Sequence, residues 1–95
     1  MNTITKKDLV SRIAYATGER QRVVRRIIDE AMEHISTALV RGERIELRRF
    51  GVFRVKFREG KVMRNPQTGE KMEIPPRKVA YFKPGKTLTK RLNQK

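Results

Sequence analysis

The sequence predicts an α+β fold: two N-terminal helices, a three-stranded antiparallel sheet with a long protruding β-ribbon arm, and a short C-terminal helix, in an intertwined dimer. Three observations carry this. Apolar residues recur at helical spacing as far as Gly42, the spacing changes to alternation from Ile45, and Asn65-Pro66-Gln67-Thr68-Gly69 forms a turn signal amid a stretch poor in large apolar residues.

The first helix is expected to start near Lys6. Thr5 and Asp8 have capping-box spacing, and Asp8 suits the positive end of the helix dipole. Leu9, Ile13 and Ala16 supply the apolar face, and Gly18 stands where a left-handed stop residue is wanted. A second helix is expected from about Arg20 to Arg41, stopped by Gly42. Its residues Val23, Val24, Ile27, Ile28, Ala31, Met32, Ile35, Ala38 and Leu39 cover roughly half the circumference, wider than the ~100° stripe a surface helix buries. A 95-residue chain without cysteine has neither the area to cover that face nor disulfides to replace it, so a second copy or a close relative is expected to do so.

Beyond Gly42, Ile45 and Leu47, then Phe53, Val55 and Phe57, alternate as two strands joined at Phe50-Gly51. The turn at 65–69 returns a third strand from about Glu70 to Phe82, and Pro84 is expected at the first position of a closing helix whose Leu88 and Leu92 dock on the core. The chain thus reads as one domain, 1–95: a helical dimerisation part (1–42), a sheet body (43–57 and 79–82), an arm (58–78) and a terminal helix (83–95). Between Arg58 and Lys78 the only large apolar residues are Val62, Met63, Met72 and Ile74, so the arm should project into solvent and be mobile until held.

The formal charge is +14 at pH 7, from 24 Lys and Arg against 10 Asp and Glu. Residues 1–42 contribute +3 and residues 43–95 contribute +11, so the excess lies on the strands, arm and last helix. Arg49, Arg54, Lys56, Arg58, Lys61 and Arg64 lead into the turn; Lys71, Arg77, Lys78, Lys83, Lys86 and Lys90 follow it. Such spacing lines a strand path with phosphate donors, which points to a nucleic acid partner. A membrane surface fits less well, because the apolar helix carries the least net charge. A sequence-reading RNA module would expose aromatics for stacking, whereas Phe50, Phe53 and Phe82 suit a core and Tyr81 alternates away from Phe82. Lys6, Lys7 and Asp8 occupy the place of a signal peptide's apolar core, so a cytoplasmic location is expected.

No catalytic constellation is evident, and no enzyme activity, cofactor or metal is expected. The one acidic cluster, Asp29, Glu30 and Glu33, has Arg25 and Arg26 four residues before its first two members, as in ordinary surface ion pairs. His34 has no metal-ligating companion and is expected packed or half-exposed at the edge of the apolar stripe.

The run Arg64-Asn65-Pro66-Gln67-Thr68-Gly69-Glu70, then Ile74-Pro75 and Phe82-Lys83-Pro84-Gly85-Lys86, resembles the signature of the bacterial HU and integration host factor family of histone-like DNA-bending proteins. Gly42-Glu43-Arg44-Ile45-Glu46-Leu47 and Phe50-Gly51 with Phe53 resemble its preceding strand pair. The resemblance implies a nucleoid-associated homodimer, or a heterodimer with a paralogue, that binds double-stranded DNA largely without sequence specificity. Its two arms would lie in the minor groove, with Pro66 wedged between base pairs and Arg64 and Asn65 beside it. It implies that Arg58, Lys61 and Arg64 line the arm, that Lys83 and Lys86 grip flanking phosphates with the amides of the last helix, and that Phe50, Phe53 and Phe82 join the dimer core with Ile28, Ile35 and Leu39. The alternatives are a site-specific bender of the integration host factor kind and a basic RNA-binding or ribosome-associated domain. Three positions depart from the family pattern: Met63 and Arg49 stand where it usually has glycine, and Thr89 where it often has lysine. Met63 would restrict the arm's twist or add an apolar contact to the groove, and Arg49 would add a phosphate contact.

Overall fold

A computed structural model describes residues 2–94; Met1 and Lys95, the ends of the expected domain, lie outside them. The chain forms two compact units, Met1–Thr37 and Ala38–Lys95.

In the first unit, α1 (Lys6–Thr17) starts at the expected capping box. The Asp8 N–H donates to Thr5 Oγ1 at 3.3 Å, and the Asp8 carboxylate accepts the Thr5 N–H at 2.9 Å. The bonds from the Thr5 backbone and hydroxyl favour the ionised carboxyl and hold it below its ordinary value. The helix stops at Gly18, whose φ of 76° lets its N–H reach the Ala14 carbonyl. Val24 of α2 (Gln21–Val40) packs on Val10 and Ala14 of α1, with Ile28 at the edge. Among the described residues these three are the whole buried apolar core. Ile27 stays 62% exposed and Val23 and Met32 stand in water, which leaves the outer half of the wide apolar face of α2 uncovered by its own chain.

In the second unit, Gly42 has a φ of 79° and its N–H donates to the Leu39 carbonyl, ending α2. The strands β1 (Ile45–Leu47), β2 (Gly51–Arg58) and β5 (Arg77–Pro84) form an antiparallel sheet in the order β1-β2-β5. Phe50, Phe53 and Phe82 stack beside it with ring centroids 4.8–6.4 Å apart. Phe53 and Phe82 are half-buried but Phe50 is 46% exposed.

The expected third strand is two strands. A separate ladder pairs β3 (Lys61–Arg64) with β4 (Lys71–Ile74), and between the ladders Glu59-Gly60 runs opposite Pro75-Pro76. Proline has no N–H to donate, so two in succession break the ladder. The cross-strand offset nonetheless does not change, with Arg58 opposite Arg77, Lys61 opposite Ile74, and the Asn65 N–H donating to the Glu70 carbonyl at 2.9 Å. The interruption is a gap in pairing without a bulge. A Cβ on Gly60 would lie 2.8 Å from the Ile74 carbonyl oxygen, so the opposing chain approaches too closely for a side chain there.

Two expectations about the last helix are corrected. Pro84 ends β5 opposite Gly51, and Gly85, whose N–H donates to the Phe50 carbonyl, is the N-cap of α3 (Lys86–Leu92). At a strand end the missing proline donor costs no ladder bond. Leu88 is half-buried, but Leu92 is 71% exposed and does not dock.

The link between β1 and β2 turns through Arg48–Phe50, closed by the Phe50 N–H on the Leu47 carbonyl, and Arg49 sits at a φ of 69°. Side chains at such φ cost roughly 1–2 kcal/mol. Arg49→Gly, after the extra entropy glycine loses on folding, is therefore expected to stabilise the protein by about 0.5–1 kcal/mol, read from urea midpoints at matched protein concentration.

Candidate nucleic-acid interface

Strand alternation sorts the basic residues. On β2, Arg54, Lys56 and Arg58 point away from the face that carries Phe53, Val55 and Phe57, and the register sets Lys83, Tyr81, Val79 and Arg77 of β5 on that same outward face. Tyr81 is the centre of this surface. The Lys56 ammonium lies 3.7 Å and the Arg54 guanidinium 5.4 Å from its ring centroid, within cation–π range. The ring holds both cations on one side of the sheet. Sequence reasoning passed over Tyr81 because its partners come from another strand; its alternation with Phe82 was the available signal.

At the end of the same face, Arg54, Lys83 and Lys86 line a groove together with Arg44 and Val52. Arg44 was not anticipated. It precedes Ile45, whose pairing with Phe53 brings position 44 alongside Arg54. Lys90 follows Lys86 by four residues on α3.

The structure does not gather all the predicted cations there. Lys78 stands opposite Phe57 and borders a hollow with Leu39, Val40, Val55 and Ala80, on the apolar side of the sheet. On the arm, Arg64 faces Lys71, while Lys61 shares the other face with Ile74, Met63 and Met72. Arg49 lies in the β1–β2 turn, apart from the ribbon.

The arm tip is ordered by Asn65. Its carbonyl accepts the Gly69 N–H at 2.8 Å and its side-chain Oδ1 accepts the Gln67 N–H at 2.8 Å, while Gly69 takes a φ of 72°. These bonds bracket Pro66 and leave its ring exposed at the apex. The bond from residue 69 to 65 makes the turn one residue wider than a β-turn.

Electrostatically, the ribbon (58–78) carries six Lys and Arg against Glu59, Glu70 and Glu73. Arg58 stands directly opposite Arg77 and Arg64 directly opposite Lys71, two like-charged cross-strand pairs of the kind that destabilise a sheet. Among the described residues the ion pairs are Lys6–Asp29 at 2.8 Å and Arg44–Glu46 at 3.9 Å, with His34 Nε2 3.6 Å from the Glu30 carboxylate, and none of these contacts draws on the cations of β2, β3, β4 or β5. This corrects the pairing expected on α2: Asp29 takes Lys6 rather than Arg25, and Glu30 takes His34 rather than Arg26. His34 is also more open than expected, its side chain 82% exposed. No three described His, Asp or Glu side chains converge to hold a metal ion. No helix among them is long and apolar enough to cross a membrane.

A helical part, an antiparallel sheet with a basic outward face, and a proline-tipped cationic ribbon together present a surface suited to a polyanion such as a nucleic acid. The comparisons agree. Residues 4–93 match the family described as Bacterial DNA-binding protein. The chain is 42% identical over 91 residues to integration host factor subunit beta of Sodalis glossinidius (strain morsitans), covering 95% of this chain and 97% of the relative. It is 40% identical over 94 residues to the protein of that name from Yersinia pestis (strain Pestoides F), at the same coverage. Among solved structures, the Anabaena HU–DNA cocrystal structure superposes with a TM-score of 0.86 at 31% identity, over 94% of this chain and 97% of that one. HU from Thermotoga maritima gives 0.69 at 29% identity, over 94% and 98%. The chain belongs to the HU and integration host factor family of bacterial DNA-binding proteins.

Proposed function

We propose that this chain works as a dimer that binds double-stranded DNA mainly through its phosphates, largely without regard to sequence, and bends it by laying its arms in the minor groove. The observation that carries this reading is the pair of like-charged cross-strand contacts, Arg58 with Arg77 and Arg64 with Lys71, left without acidic partners. An anion between them relieves that repulsion, and a phosphate backbone supplies such anions along a line. Arg54, Lys56, Lys83, Lys86 and Lys90 extend the grip over the sheet face and α3. Lys61 and Lys78 reach phosphates from the arm's other side, and Arg49 reaches them from its turn.

A dimer follows from burial. A described core of three residues, beside exposed Ile27, Met32 and Phe50, is too little for an independent domain of this size. A second subunit laid over Ile28, Ile35, Leu39, Phe50, Phe53 and Phe82 supplies the missing cover. Such a protein works in the nucleoid, and so in the cytoplasm.

The wedge is assigned to Pro66. Its ring is apolar, rigid and without an N–H that would be left unpaired between bases. Pro66→Ala is expected to keep affinity for straight duplex within about threefold, under ~1 kcal/mol, while the bend is largely lost. Fluorescence transfer between the ends of a labelled duplex reads this, and a bend angle equal to that of the unmodified protein would remove the wedge.

The relatives named integration host factor subunit beta favour a second reading, a site-specific bender that pairs with a different subunit. Specificity would then come from the deformability of the bent site. Competition between random duplexes and duplexes enriched by selection separates the two, since a specificity ratio of about 10³ or more belongs to the second.

A further inference from the structure

The polar side of α2 carries a charge order that nothing within the helix rewards. Arg22, Arg25, Arg26, Asp29, Glu30 and Glu33 are all exposed and line one groove along that side, opposite buried Val24. The cations come first, in the turns where the helix dipole favours anions, and the first turn holds no acidic residue. Arg22 with Arg26, and Asp29 with Glu33, are like charges four residues apart, a spacing that costs an isolated helix stability. Arg25 with Asp29 and Arg26 with Glu30 would compensate but form no ion pair: Asp29 takes Lys6, and Glu30 lies beside His34. Arg22 and Glu33 enter no ion pair among the described residues.

We propose that this side of α2 is a docking surface for the same side of a second copy, laid antiparallel across it. The row is its own complement. About the midpoint between Ile27 and Ile28, Arg22 mirrors Glu33, Arg25 mirrors Glu30 and Arg26 mirrors Asp29. A two-fold axis at that midpoint therefore sets every guanidinium against a carboxylate and forms each pair twice. With three cations and three carboxylates the row is neutral as a whole, which disfavours other occupants. A nucleic acid would meet the carboxylates, and an acidic or a basic peptide would match only half of the row. Single exposed ion pairs are weak, but a row of them repeated by symmetry gives a contact that is specific and sensitive to salt. The apolar side of α2 stays free for the dimer proposed above, so the contact joins one such dimer to the next. The docking itself does not depend on that dimer.

Sedimentation equilibrium over a series of protein concentrations separates the two associations. At about 1 M salt the Debye length of about 3 Å screens charge contacts and leaves apolar burial in force, so the mass there reports the dimer. At about 0.15 M salt, remote charges are screened over about 8 Å while ion pairs in contact are not, and a species of twice that mass is expected to grow with concentration. Arg22→Glu and Glu33→Arg each set like charges together across the axis, and each is expected to weaken the doubled species about tenfold or more. General repulsion between cationic chains predicts opposite signs instead, because the first substitution lowers the net charge and the second raises it. Positions 22 and 33 are about 16 Å apart along the helix, so they cannot pair within a chain. The Arg22→Glu/Glu33→Arg double variant restores the facing charges at unchanged net charge, and is expected to recover the doubled species to within about threefold. The inference is overturned if the unmodified protein forms no doubled species, if the single reversals leave it intact or act with opposite signs, or if the double variant fails to recover it. A single-chain mass at high salt overturns the dimer alone.

Discussion

Raising salt from about 50 to 200 mM is expected to lower affinity for a random duplex by roughly 10³–10⁵-fold, the loss that accompanies 6–10 neutralised phosphates. The structure supplies cations in that range from one chain. Arg54, Lys56, Arg58, Arg77 and Lys83 share the outward face of the sheet, Lys86 borders its groove, and Arg64 and Lys71 continue onto the arm. No ion pair among the described residues engages them, so on the proposed reading each is available to a phosphate and to the counterion release that goes with it. Filter binding or anisotropy on several unrelated sequences checks the size and the sequence independence together. A slope near zero would mean that the cationic face is only a solvated surface.

Gly51→Ala is expected to destabilise the protein by about 2–3 kcal/mol, the upper range for forcing a methyl into a filled site. An added Cβ at position 51 would lie 2.5 Å from the Lys83 carbonyl oxygen and 2.6 Å from the Phe82 ring. Neither neighbour is free to yield: the carbonyl belongs to the β2–β5 ladder, and the ring is held between Phe50 and Phe53. On the proposed reading the clash also reaches DNA binding, because the carbonyl it meets is that of Lys83. Urea unfolding at fixed dimer concentration measures the loss, and a variant as stable as its parent would show that the aromatic cluster repacks freely.

Much of this was legible as local pattern. The Thr5–Asp8 capping box, the glycine stops at 18 and 42, the alternation on β2 and the Asn65–Gly69 turn each depend on residues within a few positions of one another, and each formed close to where it was read. Charge asymmetry placed the candidate interface in the second half for the same reason, since it sums over the chain without needing contacts. Two of the misjudged features depend on a partner far along the chain. Pro84 read as a helix starter and is instead a strand end opposite Gly51; Asp29 read as paired with Arg25 and instead takes Lys6 from α1.

The sequence by itself determined the composition of the protein's surface, the kind of each element and the proline at the tip of the arm, because helical period, strand alternation and turn chemistry are short-range consequences of backbone sterics. Only the tertiary structure decided which cations share a face with Tyr81, that the ladder breaks at Glu59-Gly60 against Pro75-Pro76 without losing register, and that Met63 meets Met72. Those follow from cross-strand offset. A shift of one residue would turn every side chain of a strand to the other face, and that offset is fixed by pairing between segments distant in the chain.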